Sequence, residues 1–133
     1  MAEASRGLLD TSVVIDLHSI NPERLPEESA IAAVTLAELA AGPHATGDAD
    51  ERARRQDRLH WAAATWDPLP FDANAARMYG RIFAAVRAAG RNSRSRVADL
   101  LIAATAASND LPLYTRNPND FAALEGVVAI RAI

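Results

Sequence analysis

The chain has 133 residues, half of them hydrophobic, and its 17 acidic and 14 basic side chains give a formal net charge of −3. This length and hydrophobic content favour one domain with a core that needs no cross-links, and the negative charge argues against a protein that coats nucleic acid through a basic surface. Cysteine and lysine are both absent, which excludes thiol nucleophiles, disulfides and cysteine-bound zinc and also excludes a P-loop NTPase, whose site needs a lysine.

The N-terminal region predicts two strands, each followed by a helix. Residues 7–9 form a short apolar run that ends at Asp10, as in a buried parallel strand, and the segment TSVVIDLHS follows as a short helix. After the polar loop NPERLPEES, the pattern predicts a second strand in AIAAVT. A short helix in LAELAAG is then expected to end at Gly42.

Two longer helices occupy the middle of the chain. The first covers residues 48–66, where the acids of DADE lie in the first turn and favour the helix dipole. Its apolar face comprises Leu59, Ala62, Ala63 and Trp66. The second covers residues 72–89, with an apolar stripe of Ala76, Tyr79, Phe83 and Val86. Leu69, between them, is a candidate for a short strand.

The C-terminal part returns to strands. The basic loop GRNSRSR precedes a helix over residues 96–108, LPLYT is the next strand, RNPNDF a turn and VVAI the final strand. Strands that alternate with helices indicate a three-layer α/β/α sandwich around a mainly parallel sheet, which we assign to a single domain over residues 1–133. No segment predicts a membrane helix and MAEASRG has no signal-peptide core, so a cytoplasmic protein is expected.

Four acids lie beside apolar segments, where an ordinary surface acid is uncommon. Asp10 ends the first strand, Glu38 lies within VTLAELAAG, Asp99 lies within VADLLIAATA and Asp120 shortly follows LPLYT. Strand ends and helix starts of a parallel sheet meet at its carboxyl edge, where converging carboxylates repel one another unless a cation neutralises them. Oxygen ligands of this kind suit Mg²⁺ or Mn²⁺.

Each acid also has a simpler interpretation. Asp10 could cap the following helix, Glu38 and Asp99 could be surface acids of their helices, and Asp120 could stabilise a turn. The coincidence of all four favours a metal site more than any one of them does. Residue 12 is a serine, which argues against a phosphatase that uses an Asp-x-Asp motif.

The motifs LLDTSVVID, AAVTLAELAAG, RVADLLIAATAASNDLPLYTRNPNDF and GVVAI, in this order, resemble those of PIN-domain proteins, and most of all the VapC-type toxins of bacterial toxin–antitoxin pairs. The resemblance covers nearly the whole chain. It implies an α/β/α fold with a mainly parallel sheet. It also implies an Mg²⁺- or Mn²⁺-dependent endoribonuclease that inhibits translation and growth until its antitoxin neutralises it.

The resemblance assigns the first three site acids to Asp10, Glu38 and Asp99. The fourth falls in TRNPNDF, where Asp120 is our choice and Asn117 a polar neighbour, and Thr11 or Ser12 matches a supporting hydroxyl. We hypothesise that Asp10 and Asp99 hold the principal metal ion, that Glu38 and Asp120 complete this site or a second one, and that a metal-activated water attacks the phosphodiester. One metal or two remain open.

The arginines near the acids have two interpretations of equal weight. Arg91, Arg94 and Arg96, with Arg87, concentrate before the Asp99 helix, where they could bind RNA phosphates or form a solvated loop. Arg116 could do the same or pair with a carboxylate. The histidines at positions 18, 44 and 60 show no paired spacing and are expected to be surface or packing residues.

The resemblance also predicts partners. It implies a homodimer and an antitoxin, in an assembly that could be a heterotetramer or larger. The antitoxin would contact the helix face around Leu59 and place a basic side chain in the acidic site. Two other functions remain as alternatives: a non-catalytic PIN-like RNA-binding module and a metal-dependent phosphatase. An RNase assay with divalent ions, compared with phosphomonoester hydrolysis, separates them.

Overall fold

A computed structural model describes residues 4–92 and 96–133, and its four strands form one parallel sheet. The strands are β1 (Arg6–Leu9), β2 (Glu28–Ala30), β3 (Leu113–Thr115) and β4 (Ile130–Ala132). They are arranged in the order β2-β1-β3-β4. The chain therefore leaves β1 toward one side of the sheet and returns to its other side, so the site of strand-order reversal lies between β1 and β3, where α/β proteins place ligands.

Within the described residues, five α-helices connect and cover these strands. They are α1 (Thr11–Ile15), α2 (Ala33–Ala41), α3 (Ala49–Thr65), α4 (Ala73–Ala88) and α5 (Val97–Ser108). A seven-residue 3₁₀ segment (Pro118–Leu124), which we call the 3₁₀ segment, follows β3. No helix in the described ranges is both long and apolar enough to cross a membrane.

Adjacent residues of β1 point to opposite faces of the sheet and begin two separate cores. Leu8 packs with α4, α5 and the 3₁₀ segment, whereas Leu9 packs with α1, α2 and α3. Because both faces of the sheet are covered by helices, the predicted three-layer α/β/α architecture is confirmed. The sheet is close-packed at Gly7, where a Cβ atom would lie 2.3 Å from Cε1 of Tyr114 on β3.

The helix predicted over residues 48–66 is confirmed, and so is the helix over residues 72–89. Asp48 and Asp72 accept hydrogen bonds from the backbone amides of Glu51 and Ala75 and so cap α3 and α4. The strand in LPLYT is also confirmed. Leu69 forms a single parallel bridge with Ala32, next to the sheet.

The strand predicted in AIAAVT was wrong. The strand ends at Ala30, and α2 begins at Ala33. A short apolar run does not distinguish a strand from a buried helix, and alanine and leucine favour the helix here. Glu38 consequently lies in the second turn of α2 rather than in the first turn of a later helix.

The buried faces of α3 and α4 and the start of the final strand also differ from the prediction. Ala76 of α4 and Ala63 of α3 are exposed, whereas their neighbours Ala75 and Ala62 are fully buried. Alanine is small and apolar and is tolerated on either side of a helix, so a run of alanines does not show which of its members faces the core. The final strand starts at Ile130 rather than in VVAI as a whole.

Candidate functional site

Asp10 lies at the carboxyl end of β1 and is 4% exposed. Its Oδ1 accepts a hydrogen bond from the Thr11 backbone amide at 2.9 Å. Its Oδ2 accepts from the Ser12 hydroxyl and from the Thr115 hydroxyl, each at 2.9 Å. Asp10 is thus both the N-cap of α1 and a carboxylate that neutral donors fix in place at the sheet edge.

The same hydrogen bonds join Asp10 to the chain beyond β3. The Ser12 hydroxyl accepts from the Arg116 backbone amide at 3.2 Å, and the Thr115 hydroxyl accepts from the Asn117 backbone amide at 3.0 Å. Neither hydroxyl neutralises the carboxylate, because both donors are uncharged. The network therefore holds the ends of β1 and β3 together around an uncompensated negative charge.

Glu38 reaches the site from α2 through Thr11. The Thr11 hydroxyl donates to Glu38 Oε1 at 2.6 Å and lies 3.1 Å from the hydroxyl of Thr35. Thr35 is fully buried, whereas Glu38 is exposed. The first helix residue after Asp10 therefore fixes a second carboxylate from a different element.

Asp99 lies in the first turn of α5 and faces the other acids. Partial burial, together with the smaller effects of the Asp10, Glu38 and Asp120 charges and against a lowering by Arg96, raises the pKa of its carboxyl from the ordinary 3.8 to about 6. A carboxyl perturbed by desolvation and by three like charges marks a place where a cation would be bound.

Asp120 lies on the 3₁₀ segment and is held by arginine. Arg96 Nη1 lies 3.0 Å from Asp120 Oδ1 and donates to the Asp120 backbone carbonyl at 3.2 Å. Arg91 Nη1 donates to the neighbouring Asn119 carbonyl at 3.0 Å. Both arginines thus contact the segment that carries Asp120, and Arg96 balances part of the charge on its carboxylate.

The donor set fits a divalent cation by its chemistry. The four acids supply only hard oxygen ligands, as Mg²⁺ and Mn²⁺ prefer, and their mutual repulsion at Asp99 is what a cation would relieve. Within residues 4–92 and 96–133, no three acidic or histidine side chains are already gathered closely enough to hold an ion. A divalent cation bound here would therefore be held by one or two of these carboxylates together with water, or by more of them after they move toward one another.

Other residues singled out from the sequence lie apart from this cluster or outside the described ranges. Arg116 Nε lies 3.7 Å from Asp16 Oδ2, so its pairing partner is not one of the four acids. Arg94 lies outside the described residues. The His18 ring lies against Trp61 at a tilted angle of 51°, with ring centroids 5.2 Å apart, and the exposed His60 contacts Gln56, which agrees with their expected roles as packing and surface residues.

Sequence reasoning missed two threonines of the site. Thr115 and Thr35 are fully buried and are connected to Asp10 and to Thr11, respectively. Thr115 ends the strand LPLYT, at the same edge as Asp10, and a polar residue closing a buried strand was the available signal. Thr35 was not predicted to lie near the site, because AIAAVT was assigned to a strand and Thr35 belongs to α2.

Comparisons with known proteins show which family the chain resembles. A family model for the PIN domain matches residues 7–127. The chain is 42% identical over 130 residues to ribonuclease VapC5 of Mycobacterium tuberculosis, covering 96% of this chain and 93% of that protein. It is 40% identical over 105 residues to ribonuclease VapC8 of the same species, covering 78% of this chain and 93% of that protein.

A solved structure shares the fold. The VapBC-5 member of the VapBC family of toxin–antitoxin systems, from Mycobacterium tuberculosis, matches with a TM-score of 0.84 and 40% identity. The match covers 97% of this chain and 98% of that chain.

Proposed function

Because the chain belongs to the PIN-domain family and, within it, to the VapC proteins, we propose that it is an Mg²⁺- or Mn²⁺-dependent endoribonuclease. The observation that carries the proposal is the convergence of four acids from four different elements on one edge of the sheet, where burial and the charges of Asp10, Glu38 and Asp120 raise the pKa of Asp99. Four mutually repelling carboxylates at the carboxyl edge of a parallel sheet destabilise the fold unless they serve a cation.

The proposed roles of the acids follow from how each is held. Asp10 and Asp99 would be the principal metal ligands, and Glu38 and Asp120 would complete that site or a second one. A bound divalent cation would lower the pKa of a water ligand and offset the charge of the phosphate. Thr11 and Ser12 would keep the Glu38 and Asp10 carboxylates in position, and Asn117 would remain a polar neighbour.

The arginines around the cluster would guide the RNA. Arg91 and Arg96 contact the 3₁₀ segment beside Asp120, so their guanidinium groups would lie near a phosphate held by a metal ion at the acids. A guanidinium offers five donors in a fork that matches phosphate. We extend the same proposed role to Arg94 and to Arg116.

We further propose that the protein is the toxin of a toxin–antitoxin pair. Two adjoining cavities, which share Ile15 and Arg58, form a groove between α1 and α3 that begins at Glu38. Ile15 is 45% exposed there, and Trp61 lines the far end beside the face around Leu59. An antitoxin segment whose apolar side chains pack against Ile15 and Trp61, and whose basic side chain reaches Glu38, would fit this groove.

The remaining parts of the proposal concern assembly and location. Residues 1–133 would act as a single PIN-like domain, as a homodimer that becomes a heterotetramer or larger assembly with the antitoxin. The protein would act in the cytoplasm, where it meets its RNA and its antitoxin.

The test is RNA cleavage with purified wild type, Asp10→Asn and Asp99→Asn in Mg²⁺ or Mn²⁺. Each substitution keeps the side-chain size but removes a charged ligand, so cleavage should fall by about 100-fold or more, and added EDTA should abolish wild-type cleavage. Gel analysis of a structured RNA gives the rates, and circular dichroism shows whether each variant is folded.

Asp110→Asn is the matched control. Asp110 is exposed, follows the opposite end of α5 and has a φ of 53° that asparagine also tolerates. This variant should cleave at the wild-type rate. Undiminished metal-dependent cleavage by both site variants would contradict the assignment, and wild type that hydrolyses phosphomonoesters but not RNA would favour the phosphatase alternative.

A further inference from the structure

A cavity of about 230 Å³ lies directly beside Asp120, between the end of α4, the start of α5 and the 3₁₀ segment. Its floor is apolar and consists of Val86, Leu100 and Leu124, which are at most 5% exposed. Ala123 forms one wall. The cavity is smaller than the ~300–1,000 Å³ of pockets for drug-sized ligands, so its size suits one flat ring system.

The rim of this cavity is charged. The guanidinium groups of Arg91 and Arg96 border it, together with the carboxylate of Asp120. Arg91 and Arg96 are each fixed by a hydrogen bond to the 3₁₀ segment, so the two cationic groups are held at the mouth rather than turned into bulk solvent. Proteins bind an unstacked base against apolar side chains or guanidinium planes, with hydrogen bonds to the edges of the base, and this cavity offers an apolar floor, two guanidinium groups and a carboxylate.

The cavity is continuous with the acidic cluster through Asp120, which belongs to both. We propose that it binds one nucleobase of the RNA substrate, adjacent to the phosphodiester that the four acids cleave. This inference rests on the proposed function. Arg91 and Arg96 attract the flanking phosphate, while the floor accepts the ring, so the cavity selects which base stands beside the cut.

The experiment compares cleavage of a synthetic RNA with a randomised segment by wild type, Ala123→Phe and Ala122→Phe, with the cut sites identified by sequencing. Ala123 lines the cavity, whereas its neighbour Ala122 is exposed and outside it. The Ala123→Phe ring fills the cavity, so the preference for a base next to the cut should disappear, and the rate at the preferred sites should fall about tenfold. Ala122→Phe should match wild type in both.

A folding control accompanies these rates. Thermal unfolding shows whether Ala123→Phe is folded, and the smaller Ala123→Leu takes its place if it is not. Mn²⁺ titration of the metal-free protein should give the same affinity for wild type and the filled variants, because no acid is altered.

The outcomes separate the two proposals. If wild type cleaves RNA with a base preference that the folded filled variant retains, or with no base preference at all, the cavity inference is overturned and the proposed function stands. If wild type does not cleave RNA in Mg²⁺ or Mn²⁺, the proposed function is contradicted, and the cavity inference falls with it.

Discussion

The two halves of the acidic cluster are held by different kinds of contact. On the β1 side, neutral groups hold the carboxylates: hydroxyls and a backbone amide bind Asp10, and the Thr11 hydroxyl binds Glu38. On the α5 side, Asp120 is paired with the Arg96 guanidinium. Asp99 is partly buried and is repelled by the negative charges of the other three acids. We call these the hydroxyl half and the arginine half.

The kind of contact determines how each half is prepared before a cation binds. A hydroxyl donor orients a carboxylate and leaves its charge intact, whereas a guanidinium also cancels part of that charge. The hydroxyl half is therefore organised in advance, and the arginine half must exchange an ion pair for metal coordination. The three predictions that follow test this contrast, beginning with the largest expected effect.

Thr115→Val tests whether the hydroxyl half is organised by its hydrogen bonds. The substitution keeps the shape of a fully buried side chain but removes the donor to Asp10 Oδ2 and the acceptor for the Asn117 amide. Loss of such a supporting group costs about 10–100-fold in metal affinity or activity. Mn²⁺ titration and RNA cleavage rates measure this loss.

Thr105→Val is the matched control for that prediction. Thr105 is also fully buried, but its hydroxyl donates to the Leu101 carbonyl within α5 and does not contact an acid. Thr115→Val should lose about 1–3 kcal/mol of stability in urea denaturation because it leaves the Asn117 amide without its acceptor. Thr105→Val should lose less, because the Leu101 carbonyl lies inside α5 and keeps its backbone partner, and only Thr115→Val should lose metal affinity. Equal metal affinities in the two variants would show that the hydroxyl is not needed to position Asp10.

The two halves also differ in how far the sequence predicts them. Asp10 and Thr11 are adjacent in sequence, and an acid that closes an apolar strand is visible from the pattern alone. The contact of Arg96 with Asp120 joins positions 24 residues apart through tertiary packing, so no local pattern indicates it. The same limit explains why basic residues before α5 were assigned only to RNA or to solvent.

The fold shows a similar division. Capping residues such as Asp48 and Asp72 act within one turn, so the long helices were predicted to within a residue at each end. The boundary between β2 and α2 was not predicted, because the apolar residues Ala32 and Ala33 fit a strand as well as a helix. The boundary is set by the pairing of β2 with β1, which ends at Ala30.

Asp99→Asn tests how much the ionised Asp99 carboxylate, in the arginine half, destabilises the metal-free protein. The folded pKa of about 6 lies above the ordinary 3.8, so the folded state binds the extra proton between these values. Its contribution to stability is complete below about pH 3.8 and is lost as the pH rises through about 6. At neutral pH the ionised carboxylate therefore destabilises the metal-free wild type.

The substitution should remove this penalty. A difference of roughly two between the two pKa values corresponds to about 3 kcal/mol, which partial exposure of the side chain reduces to about 1–2 kcal/mol. Urea denaturation in EDTA at pH 4 and pH 7.5 should show Asp99→Asn gaining stability over wild type mainly at the higher pH. Asp110→Asn should follow wild type at both, and a gain independent of pH would refute the electrostatic cause.

Arg96→Gln tests the exchange of ion pair for metal, and its expected effect is the smallest because both partners are more than a third exposed. Glutamine keeps a donor near Asp120 but removes the positive charge that competes with a cation. At pH 8, where Asp99 is ionised in both proteins, Mn²⁺ should bind the variant up to about fivefold more tightly in calorimetry. Arg91→Gln, which loses a bond to the Asn119 carbonyl rather than to a carboxylate, should bind Mn²⁺ like wild type. Weaker binding by Arg96→Gln would mean that Arg96 acts chiefly by positioning Asp120, as the hydroxyls position Asp10, and the contrast between the two halves would then disappear.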